Sequence, residues 1–136
     1  LVIGSVFLLL TIAVTASNQT KSTRVGSLTV VSRLVAYDFE TTVDQPTATT
    51  AALNQVHQMR PDVTGIRVKA ANIAAGLLQV KNSQGQVIYS NSDPVNDWVL
   101  DLTGPSQLGY SIVTGAAIID ASNGKVHAVS ILLTNP

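Results

Sequence analysis

The chain opens on a run without a single charge, LVIGSVFLLLTIAVTA, from Leu1 to Ala16. Its only polar side chains are Ser5, Thr11 and Thr15, and the first ionisable group is Lys21. A small soluble domain has no surface of this kind to spare, because contiguous apolar area in water drives association. As a helix the run reaches roughly 24 Å at about 1.5 Å per residue. A comfortable membrane span takes about 20 apolar residues, and continuing through Ser17–Thr20 brings the length to about 30 Å. Two physical solutions follow. The run lies in a bilayer, or it bundles with copies of itself.

The rest of the composition bears on that choice. Charged residues make up 12% of the 136 residues, and eight basic side chains cancel eight acidic ones. About a quarter would be usual for a soluble domain. The balance argues against nucleic acid, which selects a basic face, and against a polybasic membrane-surface helix. A neutral, charge-poor chain suits a subunit packed against copies of itself better than a free monomer. Cysteine is absent, which removes disulfides, thiolate zinc sites and thiol nucleophiles.

Beyond the polar octet Ser17–Arg24, Leu28, Val31, Val35, Phe39 and Val43 recur at spacings of 3, 4, 4 and 4, the stripe of an amphipathic helix. The β-branched residues Thr29, Val30, Val31 and Val35 lower its propensity. The expectation is one helix over 1–45, with an apolar half (1–20) and an amphipathic half (21–45), ended by Pro46. Residues 46–62 read as a connector, with a short helix over Ala51–Met59 capped by Thr50 and stopped by Pro61.

From Val63 the period becomes two. Gly65–Ala71, Leu77–Lys81, Gln86–Ser90, the stretch around Trp98–Leu102, Tyr110–Ile119 and Lys125–Thr134 read as antiparallel strands. Asn82-Ser83-Gln84-Gly85 and Asp120–Gly124 supply turns. The predicted fold class is α+β: a long N-terminal helix, apolar then amphipathic, packed on a C-terminal antiparallel β-sheet head over 46–136.

No constellation in this pattern carries catalysis. His57 and His127 stand about seventy positions apart and lack the spacing of a metal pair. Asp93, Asn96, Asp97 and Asp101 gather near one turn, but without the glycine and terminal glutamate of an EF-hand they read as capping residues. No Gly-x-Ser-x-Gly elbow and no phosphate-cradling loop is present. Trp98, the single tryptophan, reads as core. The expected catalytic, cofactor and metal sites are therefore none. The Thr-rich loop Thr41–Thr50 is an acceptor stretch for O-glycans if the chain is exported, and a polar loop otherwise.

An apolar N-terminal run leading into an amphipathic stripe and a β-rich head resembles the type IV pilins and related pilin-like subunits. Leu1 and Ser5 stand where bacterial members carry an aromatic residue and a glutamate. The resemblance implies a non-enzymatic structural subunit of an extracellular helical filament on the cell surface, serving adhesion or motility. It would wait in the inner or cytoplasmic membrane and then assemble with copies of itself. The subunit interface it implies comprises Leu1, Val2, Ile3, Val6, Phe7, Leu8, Leu9, Leu10, Ile12 and Val14. Burying about 1,000 Å² of such surface is worth on the order of 25 kcal/mol before ordering costs, and contacts that do not close on themselves give filaments. The competing expectation is a membrane-anchored, extracellular ligand-sensing domain resembling the PAS and Cache sensors.

Overall fold

The computed structural model describes residues 20–33, 41–110 and 112–135. Seven antiparallel strands and a single helix account for the regular structure among them. In chain order they are β1 (Thr20–Val25), β2 (Leu28–Arg33), α1 (Gln45–Met59), β3 (Arg67–Lys81), β4 (Val87–Ser90), β5 (Val95–Gly104), β6 (Ile112–Asp120) and β7 (Val126–Thr134).

The expected long N-terminal helix is not what these residues form. Thr20–Arg33 is a hairpin, with Val25 opposite Leu28 and Thr20 opposite Arg33. The 3-4-4-4 spacing of Leu28, Val31, Val35, Phe39 and Val43 was compatible with a helix. The β-branched run at Thr29–Val31 and the alternation that buries Leu28 and Val30 favour a strand. Gly26 provides the two-residue turn at a φ of +57°. An added Cβ there would lie 2.8 Å from the carbonyl oxygen of Gly115. The turn therefore rests backbone to backbone on β6, and the Ser27 and Ser130 hydroxyls hydrogen-bond across the same contact.

The fold class is thus mostly β, a sheet curled into a half-barrel, rather than α+β on a long helix. Among the described residues no helix is long and apolar enough to cross a membrane. The continuous long helix of the pilin architecture, expected over 1–45, is overturned at Thr20–Arg33, which is a β-hairpin, while the apolar half before Thr20 lies outside the described residues. The expected interface residues, Leu1 to Val14, lie outside the described residues.

The strands run β1-β2-β3-β5-β6-β7 across the sheet, with β4 pairing β3 to one side. β3 joins the two parts of this surface. Arg67–Gly76 pairs with β5, whereas Leu77–Lys81 pairs with β2 and, over Gln79–Lys81, with β4. The change of partner falls at Gly76, whose φ of +106° bends the strand in a way a side chain would resist. The β1-β2-β4 part folds over the β5-β6-β7 part and encloses an inner core: Leu28, Val30, Leu78, Val80, Val99, Ala116, Ile118 and Ala128.

The outer face of β5, β6 and β7 is covered by α1. Asp44 caps this helix by accepting from the Thr47 amide at 2.9 Å, and Pro46 sits in the first turn. Proline at that position costs no hydrogen bond and presets φ. Pro46, expected to end a long helix over 1–45, instead stands in the first turn of α1, which begins well before the expected Ala51. Ala48, Ala52 and Val56 form its buried stripe and pack on Leu100, Leu102, Ala117 and Ile119. Trp98 joins that core from β5, its indole nitrogen donating to the Val43 carbonyl at 2.8 Å.

Candidate functional site

Strand alternation on β5 and β6 sends odd and even residues to opposite faces. Leu100 and Leu102 face α1, while Val99 faces the inner core. Asp97, two positions before Val99, is therefore an inner-face residue. Asp120 shares its face with Ile118 in the same way. The register sets Asp97 directly opposite Asp120, two carboxylates side by side across a strand pair, which is ordinarily destabilising.

The third group arrives through an irregularity. Ile118 pairs with Ala128 and Ile119 with Val126, which leaves His127 as the extra residue of a β-bulge. Bulges of this kind re-aim a side chain. Here the imidazole joins the two carboxylates: its Nε2 lies 3.1 Å from Asp120 Oδ2 and 3.6 Å from Asp97 Oδ1. Tyr89 of β4 stacks on the His127 ring, with centroids 4.3 Å apart and planes 11° from parallel. Its hydroxyl donates to Asp97 Oδ2 at 3.3 Å. The cluster thus sits where β4, from one part of the sheet, meets β5, β6 and β7 of the other.

Burial decides the electrostatics. Asp97 is 0% exposed, and desolvation pushes its carboxyl up to about 6. The neighbouring Asp120 charge adds to that shift, while His127 and the Tyr89 hydrogen bond oppose it. Burial alone would raise Asp120 too. Hydrogen bonds from the Ser122 hydroxyl and amide, together with His127, outweigh it and hold that carboxyl below its ordinary value. Burial and the Asp97 charge push the Tyr89 phenol well above its usual range.

Each carboxylate is held by one oxygen. Asp97 Oδ2 accepts from Tyr89, and Asp120 Oδ1 accepts from the Ser122 amide at 2.8 Å and from its hydroxyl. The other oxygens, Asp97 Oδ1 and Asp120 Oδ2, face the imidazole. Asp97 Oδ1 is shielded from solvent and has no hydrogen-bond partner. One carboxylate oxygen of each aspartate and a His127 ring nitrogen lie within 4.8 Å of one another.

Two carboxylates and an imidazole at this spacing can hold a cation or share protons. They do not form a serine relay. In such a relay the imidazole stands between hydroxyl and carboxylate, whereas here the Asp120 carboxylate stands between Ser122 and His127.

Of the residues singled out in the sequence, Asp97 and His127 come together here. His57 is exposed on α1, and Asp93, Asn96 and Asp101 do not join the group. The expectation that Asp93, Asn96, Asp97 and Asp101 act as one capping set is corrected by the register, which pairs Asp97 with Asp120 instead. The expectation of no metal-ligating group likewise gives way to a candidate set of three. Asp120 was read only as a turn residue. Its signal was the phase of the apolar residues: Val99, Ala116 and Ile118 share a face with Asp97 and Asp120, so both acids fall at core positions of their strands.

Comparison with known proteins gives no match to any protein-family model, curated protein or solved structure.

Proposed function

We propose that the protein is a non-enzymatic structural subunit of a surface assembly built from copies of itself, joined through the apolar run Leu1–Ala16. The observation that carries this reading is the closeness in sequence of that charge-free run to the half-barrel, whose first described strand starts at Thr20. Sixteen uncharged residues next to a folded domain demand an apolar partner. A chain with cancelling charges and few of them places little repulsion between copies. In this reading the half-barrel is the displayed part, and Leu1–Ala16 is the joint.

The test is sedimentation of the full chain beside a Leu9→Asp variant, with circular dichroism of each. The wild type is expected to form large assemblies. The variant is expected to run as a monomer with the β spectrum intact, because a carboxylate in a buried apolar contact is strongly disfavoured. A wild type that stays monomeric in solution and sediments only with lipid vesicles would overturn self-assembly.

That second outcome would favour a membrane-anchored ligand-binding domain. One observation speaks for it: a groove of about 400 Å³ bordered by Lys21, Val25, Val30, Ile73 and Val99, between the β1–β2 hairpin and β3.

A further inference from the structure

The seam between β4 and β7 holds a group that the assembly reading does not use. Its features converge on one kind of ligand. A fully buried carboxylate oxygen, Asp97 Oδ1, has no hydrogen-bond donor. A second carboxylate stands directly across the strand pair. A bulge turns an imidazole toward both. The second oxygen of each carboxylate is already fixed by a donor, Tyr89 for Asp97 and Ser122 for Asp120. Outer hydrogen bonds that orient a carboxylate and leave its other oxygen pointing inward are the usual support of a metal ligand.

We propose that Asp97 Oδ1, Asp120 Oδ2 and His127 Nε2 bind one divalent transition-metal ion of the zinc class beside the seam of the half-barrel. Bonds of about 2.0–2.1 Å in a tetrahedral set place neighbouring ligand atoms roughly 3.3–3.4 Å apart. The distances from Nε2, 3.1 Å to Asp120 Oδ2 and 3.6 Å to Asp97 Oδ1, bracket that edge. A cation also turns two opposed carboxylates from a repulsive pair into two ligands. Imidazole selects zinc-like ions over calcium and magnesium. Calcium needs about six to eight oxygens, and three inward-facing protein atoms fall well short of that. A fourth position remains for water or an added ligand.

The ion would link three strands, β5 through Asp97, β6 through Asp120 and β7 through His127. Tyr89 of β4, stacked on His127, brings the other part of the sheet into the same cluster. The ion itself would tie together strands that the ladder already pairs, and β4 would be held to it through Tyr89 alone.

The experiment is calorimetric titration of the chelator-treated full chain with zinc chloride, alongside His127→Gln, Asp97→Asn and, as a surface-histidine control, His57→Gln. One zinc ion per chain is expected. His127→Gln and Asp97→Asn should weaken binding by about 100-fold or more, beyond the range typical of outer-sphere changes, and His57→Gln should leave it unchanged. Calcium and magnesium should not compete. Absence of one-to-one binding by the wild type would overturn the proposal. So would binding that survives His127→Gln in a variant with wild-type circular dichroism. If a variant fails to fold, cobalt(II) added to the unaltered protein decides. Intense visible bands of a four-coordinate ion, abolished by zinc, support the site, and only the weak bands of aqueous cobalt contradict it. The outcome is independent of the assembly test, because Leu9→Asp should bind zinc like the wild type.

Discussion

Two stretches of the same strand, three residues apart, behave as opposites. Leu100 and Asp97 of β5 are both 0% exposed. Leu100 faces α1 in an apolar cluster with Leu102, Ala117 and Ile119. Asp97 faces the seam and meets a carboxylate, an imidazole and a phenol. The first environment gains stability from every methyl group removed from water. The second gives stability up, because a buried charge without full compensation is unfavourable. A fold that needed only a core would have continued the apolar pattern to the end of the strand. Packing alone does not account for a buried carboxylate oxygen without a donor at this position.

Substitutions can break that contrast from either side. The largest effect is expected at Leu100→Ala, which empties part of the core between helix and sheet. A loss of about 3–5 kcal/mol is expected from the deleted methyls and the cavity they leave, read as a lower midpoint in urea or heat. Asp97→Asn should act in the opposite sense in metal-free protein. The folded-state pKa of Asp97 is raised to about 6 from the ordinary 3.8. The ionised form is therefore the penalised one: the penalty is full above about 6, fades as pH falls and is gone below 3.8. At about pH 8 the variant should be more stable than the metal-free wild type by about 1–3 kcal/mol. The gain should shrink between pH 6 and 4, as unfolding curves taken across that window would register.

Gly26→Ala should come next. The turn needs a positive φ, and the new methyl would press on the Gly115 backbone. A cost of about 1–2 kcal/mol is expected, accompanied by earlier hydrogen exchange in β1 and β2 than in β5–β7. At the small end, Val87→Thr on the exposed face of β4 should change stability by no more than about 0.5 kcal/mol. A much larger loss there would show that β4 closes the half-barrel through contacts on its outer face rather than through Tyr89.

The β part of the chain was legible because its signals were local. Period-two runs at Trp98–Leu102, Tyr110–Ile119 and Lys125–Thr134 are β5, β6 and β7 with their ends shifted by a few residues. Asn82–Gly85 and Ala121–Gly124 lie between strands, while Asp120, expected in the turn, ends β6. The N-terminal hairpin was not legible as such. Residues spaced by three and four also satisfy an amphipathic helix, and the contact that decides between them, Gly26 against Gly115, spans the sequence. The start of α1 is ambiguous in sequence because a proline both ends a preceding helix and fits the first turn of a new one, and the Asp44 cap decides for the second. The candidate site was half visible. Asp97 and His127 carry suitable chemistry, but thirty residues of sequence separate them. Their meeting depends on a cross-strand register and a one-residue bulge, both fixed by pairing rather than by local sequence.

The most direct measurement of the contrast between the two faces is a crystal structure of the chain grown with zinc, with anomalous data collected on both sides of the zinc edge. The account predicts one strong peak within bonding distance of Asp97 Oδ1, Asp120 Oδ2 and His127 Nε2, with Tyr89 still stacked on the imidazole. A seam without that peak, in which Asp97 Oδ1 hydrogen-bonds to His127 or to a water molecule, would contradict it and leave the cluster as a proton-sharing group closed on itself.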